Sequence, residues 1–363
     1  MLKEIHIECY RSIQELHLEL NSLNVITGHN GSGKSNTYQA LQLIQEAANG
    51  RFAERVVQEG GIPSLLWAGA SSQKRFKAKR GIDLNLSICD DEFIYEIHAG
   101  VPIPVPGSMF VLDPEIKEEK IWIGDKKRPC ALLIERSSAA IISYQPDKKI
   151  IPCILNLSES LLSQLRSPDY QPELFRLLNK ILAWRFYHYF DVSRNSPIRQ
   201  LRTCSRSTIL NNDGGNLIAA IRTIYEIGDD ELFREYIANA FNGAFIEITD
   251  PTSSSVFELE FHQQGLYRPL SIRELSDGTL KFICLLTALL SPRPANVYIL
   301  NEPEVSLHND LIDVLADLIV QVSKHSQVIL ITHSMSLKNK VSISRCDANF
   351  FELEFSKFGT VVS

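Results

Sequence analysis

Gly28-His29-Asn30-Gly31-Ser32-Gly33-Lys34-Ser35 fits the spacing G-x-x-x-x-G-K-[ST] of a phosphate-binding loop. Its flanks supply the context this motif needs. Leu23-Asn24-Val25-Ile26 before it is a short apolar run that reads as a buried strand. After it, Ala40, Leu41, Ile44 and Ala48 recur at helical spacing. A glycine-rich turn between strand and helix lets the main chain wrap a polyphosphate with several N–H groups pointing inward. The helix N-terminus adds its partial positive charge. In such a loop Lys34 reaches the β- and γ-phosphates and the Ser35 hydroxyl ligates Mg²⁺, so the chain reads as a nucleoside triphosphate binder.

Composition agrees with that reading. The 363 residues can bury a large core, as one domain with a sizeable insertion or as two. With 44% hydrophobic and 22% charged residues, the chain is globular rather than disordered. A net charge of −6 exerts no global pull on nucleic acid and leaves only a local basic patch for such contact. Cys9, Cys89, Cys130, Cys153, Cys204, Cys284 and Cys346 are scattered, with no C-x-x-C pair. That argues against a zinc ribbon or disulfide framework and for a reducing cytoplasm. Lys3, Glu4 and His6 interrupt the start, against a signal peptide, and the most apolar run, Phe282 to Leu290, is too short to span a bilayer. A soluble cytoplasmic protein with no membrane partner is expected.

Taken in order, the chain opens on two alternating pieces, Ile5-His6-Ile7 and Leu16-His17-Leu18-Glu19-Leu20, around Tyr10-Arg11-Ser12. They predict two strands leading into the phosphate-loop strand. Lys74, Arg75, Lys77, Lys79 and Arg80 form a basic cluster that reads as a solvated strand edge rather than a nucleic-acid contact. From about Leu84 to Leu155 short β-like runs such as Phe93-Ile94-Tyr95-Glu96-Ile97 alternate with turns, which predicts an antiparallel sheet. From Ser158 to about Tyr189 the period turns helical. Trp184 to Phe190 is aromatic and reads as a buried strand or helix end, with base stacking as the lesser alternative. Asp213-Gly214-Gly215-Asn216 caps a helix, Asp230 to Phe241 is another, and no heptad run is long enough for a coiled-coil arm.

The last third carries more chemistry. Asn296 to Leu300 and Val328 to Thr332 are near-continuous apolar runs, as central parallel strands require, joined by a helix through Leu311, Leu315 and Ile319. They deliver Asn301 and Glu302, and His333, to strand C-termini, where ligands bind in open α/β sheets. Upstream, Ser276 is placed to cap an apolar helix, making a second anion-binding helix start.

These motifs stand in the order seen in ABC-type ATPases: the phosphate loop, Leu275-Ser276-Asp277-Gly278-Thr279, Tyr298-Ile299-Leu300-Asn301-Glu302-Pro303-Glu304, Ser306-Leu307-His308 and Ile331-Thr332-His333-Ser334. The chain resembles the SMC/RecF/OLD-like branch, and most closely its small bacterial members without a long coiled coil. Tyr10-Arg11-Ser12-Ile13, Ser35-Asn36, Phe186-Tyr187-His188-Tyr189-Phe190 and Asp213-Gly214-Gly215-Asn216-Leu217 match as well, so the likeness covers most of the chain.

The resemblance implies an α/β P-loop head: a mostly parallel central sheet, an antiparallel side sheet and a helical insertion. The corresponding division is an N-terminal lobe over 1–155, a helical subdomain over 156–270 and a C-terminal lobe over 271–363. It implies ATP and Mg²⁺ as cofactors. Gly28, Asn30, Gly31, Ser32, Gly33, Lys34, Ser35 and Asn36 correspond to the nucleotide-binding loop, with Ser35 and Asn301 at the metal. Ser276 and Gly278 correspond to the signature that contacts the γ-phosphate held by an opposite subunit. Glu302 corresponds to the carboxylate that polarises the attacking water, and His333 to the switch histidine. A homodimer around ATP follows, acting as a slow ATPase switch on DNA or on a separately encoded nuclease or toxin effector, in DNA repair or anti-phage defence. Asn301 departs from the Asp usual at its position. An amide oxygen accepts a hydrogen bond from metal-bound water but adds no charge, so weak Mg²⁺ binding and slow turnover are expected. An ATP-locked sensing module with little hydrolysis is the alternative. The glutamine-bearing loop of transporters stays open between Gln58 and Gln145.

Overall fold

The computed structural model describes residues 1–363 except 70–82, 103–105, 108, 111–112, 138–139, 145–148, 152–154, 167–170, 201–202, 251–255, 345–346, 358 and 363. The basic cluster Lys74 to Arg80 and Gln145 lie outside the described residues. Two compact units form: Met1–Trp184 with Asn349–Ser363, and Arg185–Ala348.

In the first unit, β1 (Leu2–Tyr10) and β2 (Ile13–Glu19) make the expected hairpin, with Ile5 opposite Leu18 and Ile7 opposite Leu16 on the buried face. Period-two alternation leaves Glu4, His6, Glu8, Glu15 and His17 on the other face. β3 (Leu23–Gly28) leads into the phosphate loop and is buried from Leu23 to Thr27. β4 (Leu84–Asp90), β5 (Phe93–Gly100), β6 (Glu115–Ile123), β7 (Leu132–Ser137), β8 (Ala140–Ser143) and β9 (Lys149–Ile151) extend the hairpin into an antiparallel sheet ordered β2-β1-β4-β5-β6-β7-β8-β9. This is the antiparallel sheet that the alternating runs predicted.

An ion pair with no solvent exposure, Glu119 with Arg136 at 3.1 Å, ties that sheet to the chain beyond it. Ser160 Oγ and the Leu161 N–H both donate to the Glu119 carboxylate at 2.7 Å. A buried charge pair is tolerated when its remaining lone pairs are bonded in this way. The helices Leu161–Gln164 and Pro172–Leu182 then pack on the helix Lys34–Asn49. Gln45 Nε2 donates to the Ile181 and Trp184 carbonyls at 3.1 and 2.9 Å. The first helices of the middle segment therefore group with the phosphate-loop unit.

The second unit begins with β10 (Arg185–Tyr187), whose Phe186 and Tyr187 are buried, so this aromatic stretch is the strand that the sequence suggested. The helices Leu217–Ile227 and Asp230–Ala240 follow. β11 (Phe245–Thr249), β12 (Glu258–His262) and β13 (Leu270–Ser271) then form a small antiparallel sheet. The stretch 156–270 read as helical therefore also contains strands. Ile246, Leu259 and Phe261 bury on one face, an alternation too short to stand out beside the helical runs around it. After the helix Asp277–Leu289 come β14 (Val297–Asn301), the crossover helix Asn309–Ser323 and β15 (Gln327–Ile331). β10, β14 and β15 are parallel neighbours, with Tyr187 beside Leu300 and Asn301 beside Ile331. The helix Met335–Ile343 closes the unit, and β16 (Ala348–Ser356) and β17 (Gly359–Val362) return the chain to the first one. There β16 lies beside β3, in the order β3-β16-β17. No helix of the described residues is long and apolar enough to cross a membrane.

Candidate functional site

The phosphate loop is built from main chain. Gly28 has φ +150°, and a Cβ there would stand 2.2 Å from the Leu353 carbonyl oxygen of β16. Gly33, the N-cap of the helix Lys34–Asn49, has φ +102°, and its Cβ would stand 2.2 Å from Thr360 Oγ1 of β17. Both positions thus exclude side chains by conformation and by space. Gly33 also offers no side-chain cap, so no hydroxyl or carboxylate competes for the first amides of that helix. His29, Asn30, Gly31 and Ser35 are exposed, whereas Ser32 and Lys34 are buried. Lys34 Nζ curls back and donates to the carbonyls of Gly28 and His29 at 2.6 and 2.8 Å. Ser32 Oγ is buried with no hydrogen-bond partner among the described residues.

The Tyr10-Arg11-Ser12 turn braces this helix. Asn36 Nδ2 donates to Ser12 Oγ at 2.8 Å, and Ser12 Oγ meets Thr360 Oγ1 at 2.9 Å. Arg11 bonds Gln39 Oε1 at 2.5 Å and pairs with Glu59. Asn36 therefore spends its amide on the scaffold, and Gln58 donates its own to Glu54.

In the second unit, β14 and β15 end side by side and deliver a cluster of side chains. Glu302 adopts φ +51°, and its N–H donates to the Ile331 carbonyl at 2.8 Å, so the chain turns sharply off β14. A non-glycine residue in the left-handed region carries strain that the surroundings must hold. His333 Nδ1 lies 3.5 Å from Glu302 Oε1 and 3.7 Å from Glu304 Oε1. Thr332 Oγ1 donates to Glu304 Oε1 at 2.5 Å and accepts from the Ser334 N–H at 2.9 Å. Asn301 is only 4% exposed, and its Nδ2 faces His188 Nδ1 at 3.1 Å. Asn301 Oδ1 and Glu304 Oε2 are buried with no partner among the described residues. Lys281 Nζ donates to the Val305 carbonyl at 2.7 Å; burial lowers its pKa, with the Glu304 and Glu302 carboxylates pulling the other way.

The helix start at Ser276 differs from the phosphate loop. Ser276 Oγ accepts the Thr279 N–H at 3.1 Å and is the N-cap, as its position suggested. A Cβ on Gly278 would sit 2.7 Å from the Ser306 carbonyl, so glycine lets this helix approach the loop after β14. Arg199, 4% exposed, holds the approach to the helix. It donates to the carbonyls of Val192, Ile272, Arg273 and Leu275 at 2.8–3.2 Å and to Asp277 Oδ1 at 2.8 Å.

The chain therefore carries a strand–loop–helix phosphate loop in one unit and a strand-end carboxylate–histidine cluster in the other. A model described as "AAA ATPase domain" matches residues 1–163. One described as "AAA domain, putative AbiEii toxin, Type IV TA system" matches residues 156–338, half of the chain. The chain belongs to this AAA domain family. It is an ATPase with the fold of an SMC head. The SMC head bound to the C-winged helix domain of ScpA superposes with a TM-score of 0.61 at 16% identity, covering 100% of this chain and 97% of that one. The SMC head of Pyrococcus furiosus with an extended coiled coil, bound to the C-terminal domain of ScpA, gives 0.54 at 14% identity, covering 100% and 95%. The SMC head domain from Thermotoga maritima gives 0.50 at 13%, covering 100% and 98%. At such identities the likeness speaks for the fold. An uncharacterised protein of Methanocaldococcus jannaschii is 30% identical over 100 residues, 26% of this chain and 44% of that protein, so the match spans under half of the curated relative's length.

Within the second unit the ATPase thus brings Asn301, Glu302 and His333 together, as sequence spacing suggested. Four residues of these clusters carried no sequence assignment: His188 on Asn301, Thr332 on Glu304, Glu304 itself and Arg199 under the Ser276 helix start. Glu304 and Thr332 lay inside quoted motifs without a role. Arg199 had no signal at all, since its partners are carbonyls seven and more than seventy residues away and the Asp277 carboxylate.

Proposed function

We propose that this ATPase binds ATP with Mg²⁺, dimerises around it and works as a slow switch on DNA or on a separate effector in DNA repair or anti-phage defence. The observation that carries the reading is the cluster at the ends of β14 and β15: Glu302 beside His333, and next to them a buried Asn301 oxygen with no partner. Buried polar atoms are seldom left unbonded, so Ser32 Oγ, Asn301 Oδ1 and Glu304 Oε2 fit groups meant for a nucleotide and its metal.

Phosphoryl transfer needs positioning and charge neutralisation more than covalent chemistry. Gly28, Asn30, Gly31, Ser32 and Gly33 present the loop's main chain to the phosphates, and Asn36 holds that loop's helix in place. Lys34 exchanges its two carbonyl partners for phosphate oxygens. Ser35 and Asn301 would hold Mg²⁺, which would supply charge neutralisation on the transferred group. Glu302 takes the proton of the attacking water, and His333 reports the γ-phosphate through its contact with Glu302. Ser276 and Gly278 offer the signature helix start to a nucleotide on the partner subunit. Two nucleotides would then lie in an isologous interface. The family description naming a toxin of a type IV toxin–antitoxin system supports a defence role, and the SMC heads bound to ScpA domains support action through a protein partner.

The neutral Asn301 favours a second reading, a module locked by ATP that hardly hydrolyses it. Glu302→Gln is expected to cut turnover by about 10²–10⁴-fold while ATP binding and an ATP-stabilised dimer persist on a sizing column. Wild-type protein that already behaves like this variant selects the locked module. Undiminished turnover in the variant removes Glu302 from catalysis. Mixing Lys34→Ala with Ser276→Arg, each dead alone, should restore part of the activity through heterodimers with one intact site; a wild type that stays monomeric with ATP bound rules sharing out.

A further inference from the structure

We propose that the exposed face of the β1–β2 hairpin is a binding site for a divalent transition-metal ion of the zinc class, held by His6, His17, Glu8 and Glu15. Cross-strand register sets the arrangement: Glu4 stands opposite Glu19, His6 opposite His17 and Glu8 opposite Glu15. The Leu20 N–H bonds the Lys3 carbonyl at 2.7 Å, which makes 3–20 a hydrogen-bonded pair. By alternation, 6–17 and 8–15 are non-hydrogen-bonded pairs, the ones whose side chains stand closest. Like charges directly opposite each other destabilise a sheet. Here two acid pairs bracket a histidine pair, an arrangement that a cation would turn from a cost into a site.

Three of the four donor atoms are already gathered. His6 Nε2 lies 3.4 Å from Glu8 Oε1 and 3.7 Å from Glu15 Oε1, and the three ligand atoms fall within 4.8 Å of one another. The His17 ring stands edge-on to His6, centroids 5.9 Å apart, with its Nε2 3.4 Å from Glu4. A third strand orients one ligand: Asn85, opposite Glu8 on β4, donates to Glu8 Oε2 at 3.0 Å. Such outer bonds fix the direction of a ligating carboxylate. Above the face lies an open cavity of about 390 Å³, lined by Glu4, His6, Glu15, His17 and Cys89 among others. Lys127 also lines it, but its ammonium is paired with Glu96. Two imidazoles with two carboxylates select zinc, cobalt, nickel or copper over magnesium or calcium, which require all-oxygen shells.

The internal control is the cluster Glu247, Glu260 and His262 on β11 and β12, which has a single imidazole, stacked at 4.4 Å on Phe245. Chelator-treated full-length protein carrying no histidine tag should bind one Zn²⁺ per chain by calorimetry and give visible Co²⁺ absorption. Zn²⁺ should raise the melting temperature. His6→Asn, His17→Asn and the double variant Glu8→Gln/Glu15→Gln should each weaken Zn²⁺ by at least about tenfold, as loss of a ligand does, and remain folded by circular dichroism. His262→Asn should bind as the wild type does. The proposal is overturned if the wild type binds no Zn²⁺ or Co²⁺, if His6→Asn or His17→Asn binds Zn²⁺ unchanged, or if His262→Asn removes the binding.

Discussion

The phosphate loop takes every part from eight consecutive residues, whereas the carboxylate cluster collects His188, Asn301, Glu302, Glu304, Thr332 and His333 from three distant segments. The first is a main-chain device. Gly28 and Gly33 are where they are because β16 and β17 come within 2.2 Å of any Cβ added there, and Gly31 because its φ is +82°. The second is a side-chain device, held by hydrogen bonds such as Thr332 to Glu304 and by the strained turn at Glu302. A main-chain device fails as a whole when altered, while a side-chain device can be retuned one residue at a time. Asn301 would be such a retuning under the proposed function, keeping the shape of an aspartate and dropping the charge.

The sharpest break in this comparison is expected at Lys34, the loop side chain proposed to meet the phosphates. Lys34→Ala should lower steady-state turnover by about 10²–10³-fold, because a preorganised positive charge at the phosphates is lost. A variant retaining a tenth of wild-type activity would remove the lysine from that role. Next comes the helix capped by Ser276, which sits between the two designs, since a side chain holds main chain in place. Arg199→Met leaves the carbonyls of Val192, Ile272, Arg273 and Leu275 without their donor. It should cost about 3 kcal/mol in urea unfolding, and reduce turnover while ATP binding holds. A stable variant with normal turnover would show that Arg199 does not position the signature. The smallest effect is expected at Asn301. Asn301→Asp should raise turnover at limiting Mg²⁺ by about fivefold, on the order of 1 kcal/mol of added attraction for the cation. An unchanged Mg²⁺ dependence would mean that the amide costs the enzyme nothing.

The sequence was informative wherever one segment supplies a whole device. The phosphate loop, the cap at Ser276, the β14–helix–β15 crossover and the antiparallel sheet of β1, β2 and β4–β9 all rest on local spacing: period two for strands, 3.6 for helices, and glycine where a side chain cannot go. So does the placement of Asn301, Glu302 and His333 at strand ends, since an apolar strand has only one C-terminus. The small sheet β11–β13 escaped because its strands are too short for their alternation to outweigh neighbouring helices.

Tertiary structure alone decided the rest. It brought Thr332 to Glu304, His188 to Asn301, Arg199 to Asp277 and Asn36 onto Ser12. It also set the register that faces His6 with His17 between opposed glutamates. Local spacing records how a residue relates to its own helix or strand, because backbone geometry repeats along the chain. A hydrogen bond between segments far apart in sequence leaves no such period. Its partners become known only when packing has brought their atoms within about 3 Å.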